Sequence, residues 1–126
     1  MTTRRNVLAG LATTGLMPAF GWASVGSPVA ISAARLPGGA DALVGLTDGG
    51  ALAFTLALPS RGHAAATHPL QAEVVAFARR PGTFAKVIEC TSGRVVQTLA
   101  AREGRHFYGH GAFSKDGQLL FTTENH

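Results

Sequence analysis

The sequence predicts an all-β protein, because short apolar runs alternate with Gly, Pro, Asp or Ser and no segment keeps a helical period. One strand-turn pattern occurs twice: V-A-F-A-R-R-P-G at 75–82 and G-A-F-S-K-D-G at 111–117. Recurring units of strands and tight turns are typical of β-propellers, whose blades take about 40–45 residues each. We therefore predict a partial β-propeller of about two to two and a half blades, preceded by an N-terminal signal helix.

Composition limits the class of partner. The chain has 126 residues, which suits one small domain, and 46% of them are hydrophobic, which indicates a packed core. The net charge is only +4, and Arg4 and Arg5 contribute two of those charges. Since no basic run is interleaved with aromatic residues, we expect no nucleic-acid partner.

Residues 1–23 have the layout of an export signal. Arg4 and Arg5 precede an apolar stretch at 7–20, and small residues follow up to Ala23. The arginine pair resembles a twin-arginine signal, which predicts cleavage after Ala23, a periplasmic location and the twin-arginine translocation machinery as a partner. A membrane-spanning helix needs about 20 apolar residues, so we expect no permanent membrane anchor.

The remaining chain divides into a loose lead-in at 24–40, with one short strand at 29–33, and a partial β-propeller domain at 41–126. Asp48-Gly49-Gly50 predicts a hairpin turn, and Leu52, Phe54, Leu56 and Leu58 share one face of the strand that follows. Ser60–Leu70 is predicted to be a loop. Further strands are predicted at 73–79, 83–90, 94–99, 111–114 and 119–123.

Four histidines form the candidate ligand or metal site. His63 and His68 lie in the predicted 60–70 loop, and His106 and His110 flank a second predicted loop. Each loop precedes a strand of a repeat unit, so the two loops could lie at the same rim of the sheet array. Imidazoles there could bind a transition metal of undetermined identity, or hydrogen-bond backbone groups between blades. The neighbouring Arg105 and Tyr108 could bind an anion or simply pack.

Other residues point away from known catalytic chemistry. The sequence has no C-x-x-C-H, G-x-S-x-G, P-loop or H-E-x-x-H motif, so we assign no catalytic residue and predict no cofactor. Cys90 is the only cysteine and is expected to be a small buried hydrophobe. Five phenylalanines are expected in the core: Phe77, Phe84, Phe107, Phe113 and Phe121.

Three segments carry a resemblance to a known family: R-G-H-A-A-A-T-H-P at 61–69, V-V-A-F-A-R-R-P-G-T-F-A at 74–85, and R-H-F-Y-G-H-G-A-F-S-K-D-G-Q-L-L-F-T-T-E-N at 105–125. They resemble the DUF1513 family of exported bacterial proteins, and the resemblance extends over nearly the whole chain. It implies a WD40- or YVTN-like propeller in the periplasm, in a setting of iron or redox metabolism. Family members are longer, which implies a truncated product or fragment.

The first functional hypothesis is therefore an exported propeller-type binding or interaction protein with a periplasmic protein partner. The first alternative is a metal-dependent or redox enzyme that uses the loop histidines. The second alternative is a non-functional fragment of a longer propeller.

Overall fold

A computed structural model describes residues 21–125, so the predicted signal helix with Arg4 and Arg5 lies outside the described residues. Within them, a short 3-10 helix at Trp22–Val25 precedes nine strands. The strands are β1 (Ala30–Arg35), β2 (Asp41–Leu46), β3 (Leu52–Ala57), β4 (Gly62–Thr67), β5 (Glu73–Ala78), β6 (Ala85–Glu89), β7 (Arg94–Leu99), β8 (His106–Phe113) and β9 (Leu120–Asn125). The predicted all-β class is confirmed.

The strands form three antiparallel sheets that follow chain order: β1-β2-β3, β4-β5-β6-β7 and β8-β9. Strand β4 contacts β1 of the first sheet on one side and β8 of the third sheet on the other. Consecutive meander sheets that meet along their first strands are consistent with a partial, open β-propeller.

The middle sheet is covered on both faces. On one face Val74 and Ile88 pack with Leu43 and Leu56 of the first sheet. On the other face Phe77 packs with Val75 of its own strand and with residues of the third sheet. Residues of alternating parity on β5 thus supply two separate cores, which is why nearly the whole strand is buried.

The predicted loop at Ser60–Leu70 is wrong, because Gly62–Thr67 is strand β4. Ala65 and Ala66 pair with Ala76 and Val75 of β5. Alanine is depleted in strands, so these residues do not indicate a strand by themselves, and pairing with the apolar β5 strand decides the conformation.

The predicted loop around His106 and His110 is also wrong. Both residues lie on β8, an eight-residue strand that begins at His106. Gly109 belongs to a bulge of β8, since the pairing with β9 shifts register between Phe107 and Gly111. Glycine inside a strand commonly marks such a bulge.

Smaller differences concern the repeat, the lead-in and the predicted core. Ala76 lies on the second strand of its sheet, whereas Ala112 lies on the first strand of another sheet, so the recurring pattern does not mark equivalent strands. The strand of the lead-in is paired to β2 over its whole length and is not loose. Phe121 is 62% exposed on β9 and is not a core residue.

Leu52 is likewise 60% exposed, while Leu56 and Leu58, which share its predicted face, are buried. Cys90 is buried, as predicted, and is a free thiol. No helix within residues 21–125 is long and apolar enough to cross a membrane.

Candidate functional site

A cleft of about 300 Å³ lies at the seam between the middle and third sheets. Strand β4 supplies one wall and β8 the other, and the end of β5 closes one side. The lining residues are His63, Ala78, Arg79, Arg80, Phe107, Tyr108, Gly109 and His110. We call this feature the seam cleft.

His63 and His110 meet across the seam cleft. Their Nε2 atoms are 3.2 Å apart, although the two residues are separated by 47 positions in sequence. The ring planes are 79° apart, and the ring centroids are separated by 4.8 Å. Both residues are exposed to solvent, and their Nε2 atoms are within hydrogen-bonding distance of each other.

Gly109 permits this approach. Its φ angle is +89°, a conformation that residues with a side chain rarely adopt. A Cβ atom at this position would come within 2.5 Å of His63 Cδ2. The β8 bulge therefore places a residue without a side chain where the His63 ring must lie.

Two consecutive arginines follow β5 and border the cleft. The Arg80 guanidinium donates from Nε to His106 Nε2 at 3.1 Å and lies 6.0 Å from the centre of the Tyr108 ring. Arg79 and Arg80 are both exposed, and neither takes part in the two ion pairs found in residues 21–125.

The charged groups that line the cleft are therefore all basic. Its lining contains two arginines and two histidines, and no carboxylate belongs to it among the described residues. The floor is apolar, because Phe107 is buried there and stacks edge-on against Phe77 at 6.0 Å. Since both guanidinium groups are exposed, their attraction for an anion would come from direct charge-assisted hydrogen bonds more than from a low-dielectric environment.

Of the six sequence-predicted site residues, four line the seam cleft or contact a lining residue, and the other two, Arg105 and His68, lie elsewhere. His63, Tyr108 and His110 line the seam cleft, and His106 is joined to it through Arg80. Arg105 lies outside the lining and pairs with Glu124 at 3.9 Å.

His68 stands apart from the other histidines, because it is buried. Its Nδ1 accepts hydrogen bonds from the backbone N–H groups of Leu70 and Gln71, at 3.1 and 2.9 Å. Its ring packs edge-on against Phe113 of the third sheet at 5.0 Å. The histidine thus performs the structural role that the sequence left open, since it fixes the β4–β5 turn and holds it against the third sheet.

Sequence reasoning missed Arg79 and Arg80 as site residues, since they were assigned to the end of a strand and a turn. The available signal was the pair itself, which is the only Arg-Arg dipeptide beyond the predicted export signal. A turn that starts directly after a strand projects its side chains at the edge of the sheet, where clefts between sheets open.

The cleft can bind an anion through guanidinium and imidazole groups, or can present two imidazoles to a metal ion. Within residues 21–125, no group of three or more His, Cys, Asp or Glu side chains is arranged to hold a metal. The imidazoles of His63 and His110 would thus fill at most two coordination positions of a metal ion in the cleft.

The fold and the cleft define the class: an open array of antiparallel sheets with a basic cleft between two of them. A family described as "Protein of unknown function (DUF1513)" matches residues 56–126, and the chain belongs to that family. The match includes β4 to β9 and every residue of the seam cleft, whereas the expected resemblance extended over nearly the whole chain. No curated protein and no solved structure matches the chain.

Proposed function

We propose that the protein is an exported, propeller-type binding protein whose seam cleft holds an anionic group of a small ligand or of a periplasmic partner protein. The observation that carries the proposal is the juxtaposition of Arg79 and Arg80 with the imidazoles of His63 and His110 in one cleft. These groups offer several N–H donors, and no carboxylate in the cleft lining competes for them.

The chemistry of arginine defines the class of ligand. A guanidinium group presents a planar fork of N–H donors, which matches the paired oxygens of a carboxylate or a phosphate. In the seam cleft Nε and Nη2 of Arg80 both contact His106 Nε2, which orients the guanidinium and leaves its Nη1–Nη2 edge for a ligand. An oriented donor loses less conformational entropy on binding, so it favours affinity.

Binding is a better explanation of the cleft than catalysis. General acid–base chemistry commonly pairs two groups whose environments drive their pKa values apart. The lining contains no carboxylate, and the Nε2 atom of the neighbouring His106 already accepts a hydrogen bond from Arg80. The cleft therefore gives no support for acid–base catalysis, and a redox or metal-dependent enzyme stays the second candidate, because His63 and His110 present two imidazoles in the same cleft.

Export is proposed from the sequence. Arg4 and Arg5 followed by a short apolar stretch support the twin-arginine pathway and a periplasmic location. The link to iron or redox metabolism rests on the family resemblance alone. The β-propeller assignment is supported by three consecutive meander sheets that meet along β1, β4 and β8.

Anion binding is tested by calorimetric titration of the full chain with inorganic phosphate and, separately, with succinate. Arg80→Gln should weaken binding about tenfold or more, because a charge-assisted hydrogen bond contributes roughly 1.5–3 kcal/mol. Arg94→Gln is the matched control, since Arg94 is exposed on β7 and lies outside the cleft lining. Equal affinities in the Arg80 variant and the wild type, or no binding of either anion, would overturn the proposal.

A further inference from the structure

We propose that His63 and His110 form a binding site for a divalent transition-metal ion of the nitrogen-preferring class, with Cu²⁺ bound most tightly. This inference goes beyond anion binding and does not depend on it, because it rests on the two imidazoles and the bulge that brings them together. Cu²⁺ heads the general affinity order for divalent first-row metals at nitrogen sites.

The distance between the nitrogens fits two ligands of one ion. Metal–imidazole bonds are about 2.0–2.1 Å long, so two cis nitrogens in square-planar or tetrahedral geometry lie roughly 2.9–3.4 Å apart. The observed Nε2–Nε2 distance is 3.2 Å. An ion could therefore bind both nitrogens with little movement of either strand.

The ring positions agree with that arrangement. Two imidazoles bound to one ion at that nitrogen separation have ring centroids about 5 Å apart, whereas an end-to-end N–H···N pair would place them about 5.5 Å apart. The centroids of His63 and His110 are 4.8 Å apart. The observed centroid separation is therefore closer to that of two imidazoles bound to one ion than to that of an end-to-end N–H···N pair.

The backbone holds the pair in place from both sides. His63 lies at a register shift of β4 between Gly62 and Ala65, and His110 lies at the register shift of β8. Both shifts occur at the seam, and Gly109 removes the side chain that would push the His63 ring away. Bulges frequently re-aim side chains at functional sites.

The remaining positions around the ion face the open cleft. Water or an oxygen of a bound anion would complete the coordination, since the protein supplies two imidazoles only. The neighbouring guanidinium groups of Arg79 and Arg80 repel a dication, so they would favour anionic ligands over neutral ones at the positions that the protein leaves open. Two-imidazole sites of this kind leave the metal accessible and are weaker than closed structural sites.

The test is a calorimetric titration of the full chain with Cu²⁺ and with Zn²⁺, combined with electron paramagnetic resonance of the Cu²⁺ complex. We expect one site that prefers Cu²⁺, with nitrogen couplings from two imidazoles. His63→Ala and His110→Ala should each lower the association constant about tenfold or more, because loss of a directly bound ligand should cost at least as much as loss of an outer-shell partner.

Arg94→Gln is the control, because Arg94 is exposed on β7 and lies outside the cleft lining. This variant should bind Cu²⁺ with unchanged affinity. His110→Gln, which keeps much of the side-chain volume, replaces His110→Ala if the alanine variant does not fold. Unchanged Cu²⁺ affinity in the His63 and His110 variants would overturn the proposal, and so would an equal loss in the Arg94 variant.

The two proposals fail separately. Arg80→Gln tests anion binding and leaves both metal-binding imidazoles in place, whereas His110→Ala removes one of those imidazoles and leaves both arginines. Cu²⁺ binding that persists in Arg80→Gln while phosphate binding is lost would support both proposals as independent functions of one cleft.

Discussion

The indole of Trp22 donates a hydrogen bond of 2.8 Å from Nε1 to the backbone carbonyl of His68. Trp22 also packs against the core between the first and middle sheets. The contact joins the segment before β1 to the turn between β4 and β5, two parts of the chain that are 46 residues apart. Trp22 therefore belongs to the folded domain, although the sequence placed it inside the export signal.

If the proposed export signal is cleaved, this contact predicts where the cut falls. Cleavage after Ala23 would remove Trp22, whereas Ala19 and Gly21 also provide small residues at the spacing of a cleavage site and would leave Trp22 on the mature chain. We expect the exported protein to begin at Trp22 or earlier. Intact mass and N-terminal sequencing of the exported protein check this, and a mature chain that starts at Ser24 would contradict it.

Replacement of His68 should destabilise the fold more than replacement of any exposed histidine. His68→Ala leaves the N–H groups of Leu70 and Gln71 without their acceptor and opens a gap beside Phe113, which should lower the free energy of unfolding by about 2–3 kcal/mol. Urea denaturation measures the change.

His68→Asn and His106→Ala are the comparisons for that experiment. The Asn oxygen can accept one of the two backbone hydrogen bonds, so this variant should retain part of the lost stability. His106→Ala should cost little, since His106 is partly exposed. Equal destabilisation by His68→Ala and His106→Ala would show that the backbone contacts of His68 do not hold the turn.

Gly109→Ala should disrupt the seam cleft specifically. The substitution forces a side chain into a positive-φ position, at a cost of about 1–3 kcal/mol, and its Cβ would displace the His63 ring. Gly104→Ala is a matched control, because Gly104 also has a positive φ of +75° but no atom lies within 4 Å of the added Cβ. Both variants should lose stability in thermal unfolding, but only Gly109→Ala should also weaken Cu²⁺ and phosphate binding.

Cys90 should be unreactive in the folded protein. Burial raises the pKa of its thiol to about 12, with a contribution from the negative charges of Glu89 and Glu73. Since the thiolate is the reactive form, a thiol reagent at pH 8 should label Cys90 only when the chain unfolds. Rapid labelling of the native protein at this pH would contradict the burial of Cys90.

The raised thiol pKa of Cys90 also makes the free energy of unfolding depend on pH. The thiol pKa is raised in the folded state, so the unfolded chain loses its proton first as the pH rises. The stabilisation is complete below the thiol pKa of the unfolded chain, near 9, and is lost towards the folded value of about 12. Across this range the wild type should lose stability more steeply than Cys90→Ala, as measured by urea denaturation.

The sequence predicted strands well where apolar residues dominate and poorly where they do not. Strand β5 was predicted within one residue, because Val74, Val75 and Phe77 mark it clearly. Strand β4 was missed, since its alanines carry little preference for a strand until β5 pairs with them. Strand β8 was predicted only from Gly111, although it begins at His106, because the bulge between Phe107 and Gly111 interrupts its pairing with β9.

The candidate site was predicted in part. His63, Tyr108 and His110, which the sequence analysis grouped from two predicted loops, lie together in the seam cleft, but on strands β4 and β8. Their contact could not be predicted, since it depends on how β4 packs against β8 and not on spacing within the chain. His68 was grouped with them although its imidazole is buried, which only the tertiary structure determines.

Both proposals place ligand binding in the seam cleft, between β4 and β8. The most direct test is amide chemical-shift mapping of the ¹⁵N-labelled full chain during titration with inorganic phosphate. We predict that the largest shifts fall on His63, Arg79, Arg80, Tyr108 and His110, while residues around the Arg35–Asp41 ion pair of the first sheet stay unchanged. Shifts centred on the first sheet, or no saturable shift anywhere, would contradict the account.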